Sequence, residues 1–292
     1  MKEFISGPGL VGKIVEHDIP QPGLGQVVVK MAAAGVNPKD WKMVDYGGYC
    51  VVGFHKPGTP NGSFAEYAVI EANAAWVLGP QTAFEEAATV PLNACTAATG
   101  LYMERKLPAP WLPAKEPTPL IVWGATSAVG AYAVQLAVKS NVHPIICVAG
   151  SSKRYLEDFI DRSQGDTILH YRDSEDDIKQ GIRNAASGHT ILHAIEGVSS
   201  ERSAHIMAET MGTGGHIGLV LFEKEHTDIP THITHNKYNV SVMHENEKDF
   251  GFVISRFPQR HEVVPGGLNG VITAFERLKA GQAHAVKYVI KL

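Results

Sequence analysis

Hydrophobic and polar positions change their rhythm near the middle of the chain. From Pro117 onward, short apolar runs alternate with longer stretches whose apolar residues recur at helical spacing. Strands that alternate with helices in this way are typical of a parallel sheet covered on both faces, and right-handed crossovers make such a sheet doubly wound. The predicted strands are 120–123, 144–148, 167–171, 192–195, 217–221 and 240–243. The predicted helices are 128–140, 155–162, 175–185 and 201–211.

The amino-terminal third of the chain follows a β-rich pattern instead, punctuated by Gly and Pro. Its predicted elements are strands at 26–31 and 63–70 and a helical stretch at 84–102 with a break at Pro91. At the carboxyl end, the pattern predicts a helix over 266–279, capped by Gly281, and a strand over 287–292. We expect this last helix and strand to pack back on the amino-terminal region.

Composition places the chain among ordinary globular proteins. Its 292 residues suffice for two domains. Hydrophobic residues make up 44% and charged residues 19%, and the net charge of −4 gives no attraction to nucleic acid or an anionic membrane. We find neither a signal-peptide core nor an apolar run of ~18 residues that would span a bilayer. Cys50, Cys95 and Cys147 are few and far apart, so we expect no disulfide framework and a reducing, cytoplasmic location.

One local motif carries chemistry: Ile121-Val-Trp-Gly-Ala-Thr-Ser-Ala-Val-Gly130, in which an apolar strand enters a turn of small residues before a helix. A dinucleotide fingerprint requires this context, because amides at the helix start and the helix dipole bind the pyrophosphate. The three glycine positions of G-x-G-x-x-G fall on Ala125, Ser127 and Gly130, so the match is imperfect. The alternative is a simple helix cap. The predicted cofactor-binding residues are Gly124, Ala125, Thr126, Ser127, Ala128, Val129 and Gly130.

The identity of the cofactor should be set about 20 residues later, after the second strand. There the chain has no carboxylate that could bind a ribose 2′-hydroxyl, but it has Ser151, Ser152, Lys153 and Arg154. These side chains could hold a 2′-phosphate through charge-assisted hydrogen bonds, and Tyr171 would stand at the adenosine end. We therefore predict NADPH rather than NADH. The alternative is a solvated basic helix start.

Several segments, taken in order, resemble the medium-chain dehydrogenase/reductase superfamily. They are 35–42, 62–68, 86–92, Thr96-Ala97, the turn at 124–130 and the ending 281–292. The resemblance covers nearly the whole chain. It is strongest to the fungal ToxD-like and trans-acting enoyl reductases, beside the quinone oxidoreductases.

This resemblance implies an α/β protein in which a doubly wound Rossmann domain over 96–264 joins a GroES-like β-rich domain. That domain would consist of 1–95 with 265–292, and the active site would lie in the cleft between the two. The resemblance also implies zinc-independent, NADPH-dependent hydride transfer to an activated C=C bond of an enoyl or enone, or to a quinone. The substrate would be a small molecule or a carrier-bound acyl chain, with a polyketide synthase as partner. The oligomeric state is left open.

The resemblance also assigns residue roles. Asn37, Lys42 and Tyr46 would be catalytic, beside the substrate and the nicotinamide ribose, and Thr96 would lie near the nicotinamide. Ser151, Lys153 and Tyr171 would bind the adenosine 2′-phosphate. Our hypothesis is that Lys42 donates to the oxygen on which negative charge grows, that Asn37 orients Lys42, and that Tyr46 or water returns the proton. The alternative for Lys42 is a surface lysine at a strand edge.

In one place the sequence departs from the superfamily. After Tyr46 the chain runs almost directly through 47–55 into the Phe-Ala-Glu-Tyr segment, without the expected intervening strands, so the GroES-like domain is predicted to be shortened. An NADPH-binding protein with little catalysis therefore stays an alternative. Zinc-dependent alcohol oxidation is a weaker one, since only Cys50, His55 and Cys95 could be combined as ligands. We interpret a second cluster as a solvated loop rather than a metal site: His226, His232, His235 and His244.

Overall fold

The computed structural model describes residues 1–7, 9–45, 62–72, 75, 77–198, 200–220, 226, 229–238, 261–284 and 286–292. They fall into two compact units. The first unit is Met1–Leu92 with Met243–Leu292, and the second is Asn93–Val242. The predicted strand at 240–243, Tyr46 and the link at 47–55 lie outside the described residues. Within those residues, no helix has the length and apolar character needed to cross a membrane.

The described residues of the first unit form three small sheets. One is an antiparallel hairpin of β1 (Lys2–Gly7) and β2 (Val11–Glu16), and another pairs β3 (Gln26–Lys30) with β5 (Tyr67–Glu71). The third contains β4 (Ala33–Gly35), β12 (His261–Val264) and β13 (Lys287–Lys291) in the order β12-β13-β4. Its helices are α1 (Pro38–Asp45), α2 (Phe84–Ala87) and α7 (Val271–Lys279).

The carboxyl-terminal elements complete the core of this unit. Strand β13 pairs antiparallel with β4, and Phe275 of α7 packs in one buried cluster with Phe4, Phe64 and Tyr288. The rings of Phe64 and Phe275 meet edge to face at 5.8 Å. The expectation that the last helix and strand pack on the amino-terminal region is confirmed.

In the second unit, the residues that the structure describes form a six-stranded parallel sheet. Its strands are β6 (Leu120–Trp123), β7 (Ile145–Ala149), β8 (Thr167–His170), β9 (His193–Glu196), β10 (His216–Leu219) and β11 (Thr234–Lys237). Their order across the sheet is β11-β10-β9-β6-β7-β8. This is the doubly wound order, and its switch point lies between β6 and β9, where such sheets bind ligands. The predicted fold class is confirmed.

Helices cover this sheet. They are α4 (Ala128–Lys139), α5 (Glu175–Ala185) and α6 (Glu201–Thr210), and α3 (Pro91–Ala98) precedes β6 along the chain. The strands β6 and β7 are buried along their whole length, as expected for strands covered on both faces.

Two local predictions were wrong, and the alternative given for Lys42 also differs from the structure. The histidine-rich segment, which was predicted to be a loop, contains strand β11, which pairs with β10. His232 before this strand and His235 within it are exposed, His226 is buried, and His244 lies outside the described residues. The helix predicted at 155–162 is a 3₁₀ stretch that starts earlier, at Ser151–Asp158, where only Leu156 is buried and little packing supports a longer helix. Lys42 lies on α1 rather than at a strand edge.

The start of α1 explains the position of Lys42 in a helix. Pro38 takes the first helical position, where its missing N–H costs nothing. Asp40 is at position N3 of the helix, and its side chain accepts a hydrogen bond from the Asn37 backbone N–H at 2.7 Å, as the acidic residue of a capping box does. The sequence Asn-Pro-Lys-Asp therefore contains a helix-start signal.

Candidate cofactor and active site

The turn after β6 has the shape that a diphosphate-binding turn needs. Gly124 has a φ of +71°, and a Cβ there would lie 2.6 Å from the Val198 side chain. Gly197 follows β9 and donates its N–H to the Trp123 carbonyl at 2.9 Å. A Cβ on Gly197 would lie 2.8 Å from Ser127 Oγ. Glycines therefore let the two strand ends of the switch point meet in close contact.

Helix α4 begins at this turn. Ser127 is its N-cap, and Ser127 Oγ accepts the Gly130 N–H at 3.1 Å. The positive end of the α4 dipole therefore faces the turn, as in an anion-binding helix start. A Cβ on Gly130 would lie 2.3 Å from the Gly124 carbonyl oxygen. Gly130 thus takes the helix-packing role of the third fingerprint glycine, and Gly124 supplies the tight turn from one position before the pattern.

The other predicted residues of the turn lie along the same stretch of backbone. Thr126, Ala128 and Val129 are half-buried, whereas Ala125 is buried beneath them. The structure therefore brings the predicted members of the phosphate-binding turn together in one place. It places Thr96 elsewhere in the same unit, buried within α3.

Glu196, which the sequence analysis did not single out, supports this site. It ends β9 with a fully buried carboxylate that accepts the Ser203 hydroxyl at 2.8 Å and the Val198 N–H at 3.1 Å. These bonds fix the loop that carries Gly197. An acidic residue at the end of an otherwise apolar strand is the signal that could have revealed it.

The predicted adenosine end lies at the carboxyl ends of β7 and β8. The Tyr171 N–H donates to the Ala149 carbonyl at 3.0 Å, and a Cβ on Gly150 would lie 2.7 Å from the Tyr171 ring. Lys153 is exposed in the 3₁₀ turn that follows Gly150, and Ser151 is exposed at its start. Gly150 thus leaves space for the Tyr171 ring beside a basic turn.

A second cation stands at this end. The Arg172 guanidinium lies 4.8 Å from the centroid of the Tyr171 ring, at cation–π distance. Sequence reasoning missed Arg172, although it directly follows the predicted Tyr171. Together with Lys153, it gives the end of the sheet that would face a 2′-phosphate a positive character.

In the first unit, Asn37 is anchored inside the protein. It is 6% exposed; its Nδ2 donates to the Gly35 carbonyl at 3.2 Å, and its Oδ1 accepts a hydrogen bond from Lys287 Nζ. Asn37 is therefore not hydrogen-bonded to Lys42 and does not orient it by direct contact. Lys42 is half-buried farther along α1, with Nζ 5.7 Å from the Trp41 ring centroid.

Burial shifts the ionisation of two charged groups around Asn37. It raises the pKa of Asp40 to about 6, against the opposing effect of the nearby cations Lys39 and Lys287. Burial also lowers the pKa of Lys287 to about 7, while the Asp40 carboxylate opposes that shift. Sequence reasoning missed Lys287, because it sits in the last strand, far along the chain from Asn37.

The metal interpretation finds no ligand set in the part of the chain that the structure describes, where no three His, Cys, Asp or Glu residues cluster. Cys50 and His55 lie outside that part. Burial raises the pKa of the Cys95 thiol to about 12, which disfavours the thiolate that a metal would bind.

A polar pocket of about 250 Å³ also exists in the second unit, but it lies away from the turn. Its lining includes Pro117, His143 and Pro144, which precede β6 and β7. It therefore opens at the amino ends of the strands, opposite the edge that carries Gly124.

A doubly wound domain with this turn, joined in one chain to a GroES-like β-rich domain, defines the medium-chain dehydrogenase/reductase class. The chain is 36% identical to a trans-enoyl reductase of Gibberella fujikuroi, over 92% of each protein. It is 26% identical to a trans-enoyl reductase of Alternaria alternata, over 96% of each. The chain therefore belongs to the trans-enoyl reductase family of that superfamily, which confirms the resemblance. No family model matches the chain.

Solved structures agree on the fold. An alcohol dehydrogenase superfamily protein from Novosphingobium aromaticivorans has a TM-score of 0.79 at 16% identity. The superposition covers all of this chain and 99% of that protein. A quinone oxidoreductase from Thermus thermophilus has a TM-score of 0.74 at 19% identity, with full coverage of both chains. The Gibberella alignment extends over 312 positions although this chain has 292 residues, so that relative has residues without a counterpart here.

Proposed function

We propose that this protein is a zinc-independent, NADPH-dependent enoyl reductase that saturates the C=C bond of an α,β-unsaturated acyl group. The observation that carries the proposal is the glycine turn at the β6–β9 switch point, where Gly124, Gly130 and Gly197 let the backbone pack closely around the start of α4, the position at which doubly wound sheets bind a diphosphate. Membership of the trans-enoyl reductase family supports the reaction. Because the same fold occurs in a quinone oxidoreductase, quinones are the competing electron acceptors to be tested.

The residues of the second unit fit a phosphorylated dinucleotide. The backbone of 124–130 and the Ser127 hydroxyl would bind the diphosphate, and Ser151, Lys153, Tyr171 and Arg172 would hold the adenosine end with its 2′-phosphate. Two cations near this end favour NADPH over NADH. When bound, NADPH supplies the hydride. The protein therefore has to orient the cofactor and the substrate, exclude water and stabilise charge.

In the first unit, Lys42 is our candidate for the donor that stabilises negative charge on the acyl carbonyl oxygen. A fixed cation at such an oxygen lowers the barrier because charge develops there in the transition state. Tyr46 or water would return a proton to the acyl chain. The substrate would be delivered on the carrier of a polyketide synthase in the cytoplasm, as a chain-modifying enzyme that acts in trans requires.

A second function has one observation in its favour. The Gibberella relative has residues that this chain lacks. If those residues form part of the wall that closes over the substrate, the chain would bind NADPH but turn it over poorly.

The test combines binding with turnover on the purified full chain. Calorimetry should show NADPH binding at least tenfold tighter than NADH, the difference that one charge-assisted phosphate contact provides. NADPH oxidation should be faster with 2-enoyl pantetheine thioesters than with quinones, and unchanged by EDTA. Tight binding without turnover would favour the second function. No binding of either cofactor to folded protein would overturn both.

A further inference from the structure

A buried polar cluster in the first unit connects the two ends of the chain. We define the Lys287 cluster as Asn37, Asp40 and Lys287, of which Asp40 is 0%, Lys287 4% and Asn37 6% exposed. Lys287 Nζ donates to Asn37 Oδ1 across 250 residues of sequence. Buried charges are expensive unless a partner compensates them, so a cluster this enclosed needs an explanation.

Every bond of the cluster converges on the start of α1. Asp40 Oδ2 accepts the Asn37 N–H, and Asn37 Nδ2 donates to the Gly35 carbonyl in β4. The neighbouring Val36 N–H donates to the Tyr288 carbonyl of β13 at 2.9 Å. The helix start is therefore held by its own cap and by the final strand.

The Lys287 side chain reaches Asn37 through space that only glycine leaves open. A Cβ on Gly35 would lie 3.2 Å from Lys287 Cε and 2.3 Å from the Ala88 carbonyl oxygen. Residue 35 thus brings β4 close to its neighbours and lets the lysine pass into the interior.

We propose that Lys287 is a positioning residue that acts through Asn37 and Asp40 to fix helix α1, and with it Lys42, in the orientation that catalysis needs. The proposal rests on the proposed function in one respect, namely that Lys42 is the catalytic donor. It also reassigns Asn37: with both atoms of its amide bonded inside the unit, Asn37 acts on the reaction through α1 and does not touch the substrate.

Substitution of Lys287 by Met tests the proposal, with Lys291→Met as the matched control. Lys291 lies on the same strand but is exposed and pairs with Glu85 at 2.7 Å. Lys287→Met should lower kcat about tenfold, the usual cost of a displaced catalytic group, while the Kd for NADPH stays within twofold because the second unit binds it. The pH profile of kcat should change, because the Lys287 ionisation is removed and the Asp40 carboxyl loses a neighbouring cation. Lys291→Met should change none of these.

Two outcomes would overturn the positioning role. One is a folded Lys287→Met protein whose kcat is within twofold of the parent. The other is a Lys287→Met, Asn37→Ala double variant whose loss in kcat is the product of the two single losses, since residues that act through one contact are not additive. If Lys287→Met does not fold, the double variant Asp40→Asn, Lys287→Met takes its place in the same measurements, because it removes both buried charges.

Hydrogen exchange separates this proposal from the proposed function. Lys287→Met should speed amide exchange in α1 without changing α4, whatever the activity of the enzyme. A parent protein that reduces no enoyl substrate, together with faster exchange in α1, would remove the proposed function and keep the anchoring of α1. Unchanged exchange in α1 would remove the anchoring itself.

Discussion

The two regions to which we assign chemistry are built in opposite ways. The phosphate-binding turn is largely local: a strand, a glycine turn and a helix start lie within 120–139, and the loop after β9 that carries Gly197 joins them. The Lys287 cluster is assembled from residues 250 positions apart. Local geometry leaves a pattern in the sequence, whereas a cluster made by strand pairing leaves none until the fold is known.

The phosphate-binding turn should lose more stability and function than the Lys287 cluster when a single carbon atom is added. Gly130→Ala places a Cβ against the Gly124 carbonyl, and backbone cannot move aside as a side chain can. We expect a loss of about 2–3 kcal/mol in the free energy of unfolding, typical of overpacking. NADPH binding should weaken tenfold or more, since the turn has to shift. Urea unfolding and calorimetry measure the two effects.

Gly181→Ala in α5 is the control for Gly130. It makes the same change in a helix of the same unit, but the atoms nearest to its Cβ would belong to the Leu169 side chain, the first at 2.7 Å, and not to backbone. That side chain can rotate, and alanine favours a helix over glycine by roughly 1 kcal/mol. Equal losses in the free energy of unfolding and in NADPH affinity for the two variants would show that close packing at Gly130 has no special role.

The next largest effect should come from Lys42. Lys42→Ala should lower kcat for enoyl reduction tenfold or more, the loss of one positioned donor, with NADPH affinity unchanged. Lys279→Ala is the control, because Lys279 Nζ also lies over the Trp41 ring, at 5.3 Å, but comes from α7. If both variants lower kcat equally, packing on the Trp41 ring explains the effect of Lys42→Ala, and Lys42 is not the catalytic donor.

The sequence predicts the second unit well because its physics is local. Buried parallel strands are continuous apolar runs, and β6 has its predicted bounds. The helix α5 also has its predicted bounds. Strand β11 was missed because Thr-His-Asn-Lys has no apolar pattern, and only pairing with β10 makes it a strand. The 3₁₀ stretch at Ser151–Asp158 was misplaced because tertiary packing, which periodicity cannot show, sets its length.

Site residues divide along the same line. Ser127 and Gly130 were predicted from a motif, and Tyr171 from its place after a strand. The structure places Ser127 and Gly130 at the start of α4 and the Tyr171 ring beside Gly150. Glu196 and Lys287 could not be predicted, since each depends on which strands become neighbours. Asn37 was found by resemblance, but its partners show that it points inward.

Cofactor preference should respond more modestly, because its cations are exposed. Lys153→Ala should lower kcat/KM with NADPH about fivefold and leave the value with NADH unchanged, as expected for one solvent-exposed contact to a phosphate. Arg172→Ala should add to this effect. Lys139→Ala, at the far end of α4, is the control. Equal losses with NADPH and NADH would place Lys153 away from the 2′-phosphate.

The smallest effect we expect is the pH dependence of stability that Lys287 confers. Burial lowers its pKa to about 7, well below the ordinary lysine value of 10.5 to which it returns on unfolding. Between these two values the unfolded chain binds more protons than the folded chain, so stability rises with pH. From pH 7 to 8, where Asp40 with its pKa of about 6 is already largely ionised, the gain should be about 1 kcal/mol.

Lys287→Met should abolish this gain, and urea unfolding at pH 7 and pH 8 measures it. Without the lysine, the pKa of Asp40 should rise further, because an attractive charge is lost; the variant would then lose stability over the same interval. Lys291→Met, exposed on the same strand, should keep the slope of the parent. Parallel slopes for the parent and Lys287→Met would mean that Lys287 stays charged in the folded protein. The cluster would then be an ion pair rather than a hydrogen-bonded clamp whose charge changes near neutral pH.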